Sequence, residues 1–137
     1  MRKALFGALL FALTTAAGAQ KCVVPDLAGF TQSPTEHAIN VIDKPFVVRS
    51  ISGVIEFANG PLEPLPNVLV EVRGPGTDKK IQRTTTNNKG RFKIAHLPTG
   101  TFTFKTTLNG YASSVGTIIV SNKAHNSSIR IEMSIGN

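Results

Sequence analysis

Residues 84–111, TTTNNKGRFKIAHLPTGTFTFKTTLNGY, restrict the fold more than any other stretch of the chain. Apolar side chains fall at every second position, at Phe92 and Ile94 and again at Phe102 and Phe104, with Arg91, Lys93, Thr103 and Lys105 between them. A period of two puts one set on one face of a strand and the other set on the opposite face. Turn chemistry brackets both runs. Asn87-Asn88-Lys89-Gly90 predicts a hairpin turn, because Asn and Gly tolerate positive φ, and Leu97-Pro98-Thr99-Gly100 and Asn109-Gly110-Tyr111 break the chain again. Strands with one wet and one buried face must pack as sheets against one another.

The alternation extends in both directions. Residues 46–57 read as a first strand, with Gly53 marking a bulge or a close approach. Residues 59–67, NGPLEPLPN, read as a connection, since three prolines cannot donate to a ladder. Val68, Val70 and Val72 then share one face, and Leu69, Glu71 and Arg73 the other, until Gly74-Pro75-Gly76. Further strands are expected at 80–86, 91–96, 101–108, 117–120 and 128–133. Seven strands and almost no helix make an all-β sandwich of two sheets. Its expected core is Ile51, Ile55, Val68, Val70, Val72, Phe92, Ile94, Phe102, Phe104, Ile118, Val120, Ile129 and Ile131. At about 1.5–3 kcal/mol for each large buried side chain, such a core can offset the ordering of one domain without disulfides.

The N-terminus points to export. Arg2 and Lys3 precede an apolar run over 5–17, and Ala17-Gly18-Ala19 supplies the small residues a signal peptidase reads. Residues 1–19 are expected to be a signal peptide, too short in its apolar part to span a bilayer. The mature chain is then periplasmic or extracellular, with no transmembrane segment. Residues 20–45 carry Pro25, Pro34 and Pro45 and no sustained period, and read as an irregular arm, with one helical turn over 34–40. Cys22 is the single cysteine. Gln20 and Lys21 before it argue against lipidation, which leaves an exposed thiol or an intermolecular disulfide, to a second copy or to another protein. The net charge is +7, or +5 once Arg2 and Lys3 are removed, which favours anionic partners. Export makes nucleic acid an unexpected one.

One ordered set of motifs resembles the carboxypeptidase regulatory-like domain family: Gly53-x-Ile55, Gly60-Pro61-Leu62, Pro66-Asn67-Val68-x-Val70-x-Val72, Thr86-x-x-x-Gly90-Arg91-Phe92, Leu97-Pro98-x-Gly100-x-Phe102 and Gly110-Tyr111. The resemblance covers about residues 48–134. It implies a seven-stranded prealbumin-like Greek-key sandwich, close to the transthyretin and starch-binding-like folds, in a domain over 46–137. Phe102 stands where the family usually has Tyr, so a hydroxyl is missing, and Asn87 stands where Asp is frequent. The resemblance implies a module, not a reaction.

Catalytic chemistry is sparse. His37, His96 and His125 have no metal-ligand spacing, either with one another or with Cys22. No GxSxG elbow is present. Transthyretin-like hydrolases carry a Tyr-Arg-Gly-Ser end where this chain has Met133-Ser134-Ile135-Gly136-Asn137, and ring-cleaving dioxygenases of a related fold need two Tyr where Tyr111 is alone. No catalytic residue, metal or cofactor is expected. The strongest remaining signal is basic: Lys79, Lys80, Arg83, Lys89, Arg91 and Lys93 fall in one predicted hairpin, with Lys105 positioned to join them. They suit an anionic polymer or membrane surface, or serve to keep edge strands from pairing. Phe30, Phe46 and Tyr111 are the aromatic candidates for a carbohydrate platform, and the loops 59–67 and 121–126 for a binding rim. The expected role is a non-enzymatic interaction module for a protein or polysaccharide, with a carbohydrate-binding module or a small hydrolase as alternatives.

Overall fold

The computed structural model describes residues 25–35, 38–58, 60–75, 80–125 and 128–136. The expected signal peptide, Cys22, His37 and Lys79 lie outside them. Ten strands form two sheets: β1 (Ile39–Val41), β2 (Phe46–Val48), β3 (Ile51–Phe57), β4 (Glu63–Pro64), β5 (Leu69–Arg73), β6 (Ile81–Thr85), β7 (Arg91–Ile94), β8 (Gly100–Thr107), β9 (Ser113–Val120) and β10 (Ile129–Met133). The first sheet runs β1-β9-β8-β5-β6, with β2 also on β9. The second has β3 at its centre, with β10 on one side and β7 and β4 sharing the other.

Seven expected strands become ten for local reasons. The predicted strand at 46–57 is interrupted at Arg49-Ser50. Its first half pairs parallel with β9, and its second half crosses to the other sheet. Glu63–Pro64 makes a two-residue pairing with β3 inside the proline-rich connection, and its neighbour Leu65 enters the core. Ile39–Val41 pairs parallel with β9, so Ile39 and Asn40 belong to a strand rather than to a helical turn.

All thirteen residues expected in the core are buried, joined by Val48, Leu65 and Met133. They interdigitate from the two inner faces, as alternation requires. Gly53 is the close approach that its sequence suggested. A Cβ there would lie 2.0 Å from the Ile129 carbonyl oxygen, so the parallel pairing of β3 with β10 has room only for glycine. Gly90 has φ 71°, and a Cβ there would be 2.5 Å from the Ile55 oxygen. Asn87 Oδ1 accepts from the backbone N–H groups of Lys89 and Arg91, which closes this turn. The turn does not make a ladder hairpin, however: β6 belongs to the first sheet and β7 to the second.

The expected irregular arm is a strap. Residues 26–35 cross the outer face of the first sheet, bound mainly through their backbone. Arg73 donates to the Asp26 and Ala28 carbonyls, and its guanidinium lies 4.9 Å from the centre of the Phe30 ring. Thr31 donates through N–H and hydroxyl to the Glu71 carboxylate at 2.9 and 3.1 Å, and its carbonyl accepts from Lys105 Nζ at 2.8 Å. Thr35 Oγ1 donates to Asn109 Oδ1 and accepts from the Gly110 N–H. Glu71, placed by alternation on a wet face, is therefore fully buried, and Lys105 is 3% exposed.

Candidate binding face

The outer face of the second sheet is uncovered among the described residues and forms a trough of about 840 Å³. The outward side chains of β3, Ser52, Val54 and Glu56, make the floor, about 13 Å long at the rise of an extended strand. Register places Lys93 beside Ser52 and Arg91 beside Val54 on one wall. On the other wall Arg130 of β10 stands beside Val54. Arg91 and Arg130 thus flank one floor residue, with their backbones about 10 Å apart across two strand spacings. Lys89, in the closed turn before β7, completes the basic wall, and Pro64, Thr85 and Asn87 close the β4 side.

Local sequence explains this placement. Phe92 and Ile94 are pulled into the core, which turns Arg91 and Lys93 outward; Ile129 and Ile131 do the same for Arg130. The floor is shallow because Ser52 and Val54 are small. Glu56 is 9% exposed, with Arg130 Nε 3.2 Å from its Oε1. Low walls of flexible cations around a polar floor can hold an extended anion by charge and hydrogen bonding. Nothing in the trough has the nucleophile–base pairing of a covalent catalyst. A smaller hollow of about 250 Å³, lined in part by Arg49, Lys93 and His96, lies at the start of β3.

The structure divides the predicted basic cluster. Lys89, Arg91 and Lys93 share the trough. Arg83 faces the other way, on the outer face of the first sheet, where its Nε donates to Glu71 at 2.9 Å. Lys80 precedes β6 and is exposed. Lys105 does not join the trough residues, because β8 lies in the first sheet and its ammonium is held under the strap. The reason is the sheet change at Asn87–Gly90, which puts neighbouring strands of sequence on opposite layers. Both β6 and β7 are edge strands, so their charges also discourage edge pairing.

The aromatic candidates do not form a platform. Phe30 is the strap's own buried side chain, Phe46 packs against Phe104, and Tyr111 is half-buried with its ring edge-on to Phe57 at 5.6 Å. The two loops proposed as a rim lie at opposite ends of β3. The guanidinium of Arg49, just before β3, donates to the Asn122 carbonyl, whereas 60–67 follows the other end of the strand. His96 and His125 are exposed, and His96 has φ 61°. Among the described residues no three His, Cys, Asp or Glu side chains come together as metal ligands, and no helix is long and apolar enough to cross a membrane. Sequence reasoning missed Arg130 and Glu56 as trough residues. Alternation marks Arg130 as outward, but the parallel pairing of β10 with β3 has no local signature.

Comparison with known proteins adds the family. No curated protein matches the chain. Among solved structures, the 3-chlorocatechol 1,2-dioxygenase of Rhodococcus opacus 1CP aligns over 77% of this chain and 72% of its own, at 12% identity and a TM-score of 0.45, a likeness too low to bear on activity. The model of the carboxypeptidase regulatory-like domain matches residues 50–134, from just before β3 to just after β10. That span contains the whole trough and leaves out the strap, β1 and β2. Over most of its length, then, the chain belongs to the carboxypeptidase regulatory-like domain family.

Proposed function

We propose that the chain is an exported, non-catalytic binding module that holds an acidic polymer of the cell envelope or exterior in the trough on its second sheet. The observation that carries this reading is the convergence of Lys89, Arg91, Lys93 and Arg130, from two strands and a turn, around one uncovered concave floor. Opposed cations along an extended groove attract a polyanion from a distance and hold it at many points. The burial of Phe30 and the packing of Phe46 and Tyr111 favour charge over ring stacking as the source of affinity. The signal-peptide pattern at residues 1–19 supports export.

The test is co-sedimentation of the mature protein with insoluble acidic polymers and with cell envelopes, at low and high salt. Binding at low salt that is lost near 1 M, where the screening length falls to about 3 Å, supports the reading. Changing Arg91 and Lys93 together to Glu is expected to abolish binding and to leave Tm within about 2–4 °C, because both side chains are exposed. Salt-resistant binding, or a charge-reversed variant that still binds, would sink it.

A further inference from the structure

The cations of the trough follow a spacing. Lys93 and Arg91 are successive outward residues of β7, six main-chain bonds apart, which is about 7 Å at the rise of a strand. Lys93 stands beside Ser52, and Arg91 stands beside Val54 with Arg130 across from it. Arg130 is also steadied. Its side chain is 63% exposed, and its Nε lies 3.2 Å from Oε1 of Glu56, a carboxylate withdrawn from water. The pair is made through Nε, and the guanidinium carries its other N–H groups on the terminal nitrogens. Lys89, Arg91, Lys93 and Arg130 are all exposed, so each can meet a ligand in the trough.

We propose that the trough's ligand is a poly(polyol phosphate), a chain of phosphodiesters joined by three-carbon links with no ring between successive charges. This assignment rests on the reading of the face as a polyanion site and names the polyanion. Six bonds also separate the phosphorus atoms of such a chain, so in extended form its charges repeat at the spacing of Lys93 and Arg91. A phosphate within a chain offers a non-bridging oxygen to each side. Arg91 from one wall and Arg130 from the other can therefore both bond the phosphate over Val54, and the planar fork of arginine suits its oxygens. A carboxylate borne on a side group turns its oxygens toward one wall only. The next phosphate falls on Lys93, beside the Ser52 hydroxyl. The shallow floor made by Ser52 and Val54 accepts a thin, ring-free backbone. Single-stranded nucleic acid shares the six-bond repeat but adds bases, and the buried Phe30 and the packed Phe46 and Tyr111 give them no platform. Glu56 is a positioning residue, which acts on the ligand through Arg130 and does not touch it.

The experiment titrates synthetic hexamers into the full mature chain at low salt by calorimetry: poly(1,3-glycerol phosphate), the same chain with five-carbon links, hexagalacturonate and hexathymidylate. Wild type, Arg91→Lys, Arg130→Lys and Glu56→Gln are compared, and Tm reports the folding of each. Wild type is expected to bind the three-carbon phosphodiester at least about tenfold more tightly than hexagalacturonate, the scale of one further hydrogen bond to a charged group. The five-carbon chain, whose charges fall out of step with Lys93 and Arg91, is expected to bind more weakly. The two lysine variants keep the charge and lose the fork, and each is expected to lose about fivefold or more. Glu56→Gln takes a negative charge away from an anion site, yet it is expected to weaken binding, because Arg130 is no longer held. Tighter binding by Glu56→Gln overturns the positioning role. Hexagalacturonate or hexathymidylate bound as tightly as the glycerol phosphate chain, no difference between the two link lengths, or undiminished binding by both lysine variants overturns the phosphodiester assignment and leaves the polyanion reading standing. Binding of none of the hexamers overturns both.

Discussion

The two outer faces of this sandwich each withdraw one glutamate from water, and they treat it differently. On the first sheet Glu71 has no exposed surface and receives three hydrogen bonds, two from the strap and one from Arg83. On the second sheet Glu56 keeps 9% exposure and one ionic contact, with Arg130. Both positions alternate with core residues, so both would be ordinary wet positions in a two-layer sandwich. What separates them is a piece of chain. Residues 26–35 convert a solvated polar face into an internal one, while the opposite face keeps its cations outward. The covered face is thereby committed to holding the protein's own backbone, and the other, uncovered among the described residues, is the one offered to the proposed ligand.

The strongest way to break this comparison is to remove each of the two carboxylates in turn. Glu71→Ala leaves the Thr31 N–H and hydroxyl, and the Nε–H of Arg83, without their acceptor under the strap. It is expected to cost about 3 kcal/mol in urea unfolding, the scale of losing several hydrogen bonds to a buried charged group. Similar losses for Glu71→Ala and Glu56→Ala would erase the distinction. Next in size is Phe30→Ala, which removes the strap's one large apolar anchor and its stacking on Arg73. A loss of about 2 kcal/mol is expected, together with faster proteolysis near Phe30. Polyanion binding should be unchanged, because the strap and the trough lie on opposite sheets. Thr35→Val removes the two hydrogen bonds that pin the far end of the strap to Asn109 and Gly110, for about 1 kcal/mol. The smallest change is Glu56→Gln, which keeps the side chain's size, gives up only the ion pair with the exposed Arg130 and is expected to cost less than about 1 kcal/mol in urea unfolding.

Much of the sandwich is legible in the sequence because period-two alternation reports which side chains turn inward. Phe92, Phe102, Val70 and Ile131 needed nothing else. Alternation does not report what lies over the other side. Glu71 and Lys105 occupy positions that look wet, and only the strap, from a stretch without periodicity, makes them internal. Phe30 is one buried residue in a segment with no pattern around it. The trough was legible on one wall only. Arg91 and Lys93 stand out beside Phe92 and Ile94, but Arg130 reaches them through a parallel pairing between strands far apart in sequence. Sequence proximity groups Lys80, Arg83 and Lys105 with that wall, as if neighbouring strands shared one sheet. The turn at Asn87–Gly90 sends the chain to the other layer instead.

The strap also has a mechanical meaning. Its attachments follow one another along the chain: Arg73 at Asp26 and Ala28, then Phe30, then Glu71 and Lys105 at Thr31, then Asn109 and Gly110 at Thr35, and only afterwards the ladder of β1 on β9. A pull applied upstream of Pro25 meets these contacts in series rather than together. Each is a separate contact, and the two sheets beneath keep a core of their own. A strap that lifts therefore bares hydrogen-bonding groups that water can satisfy rather than the interior of the sandwich.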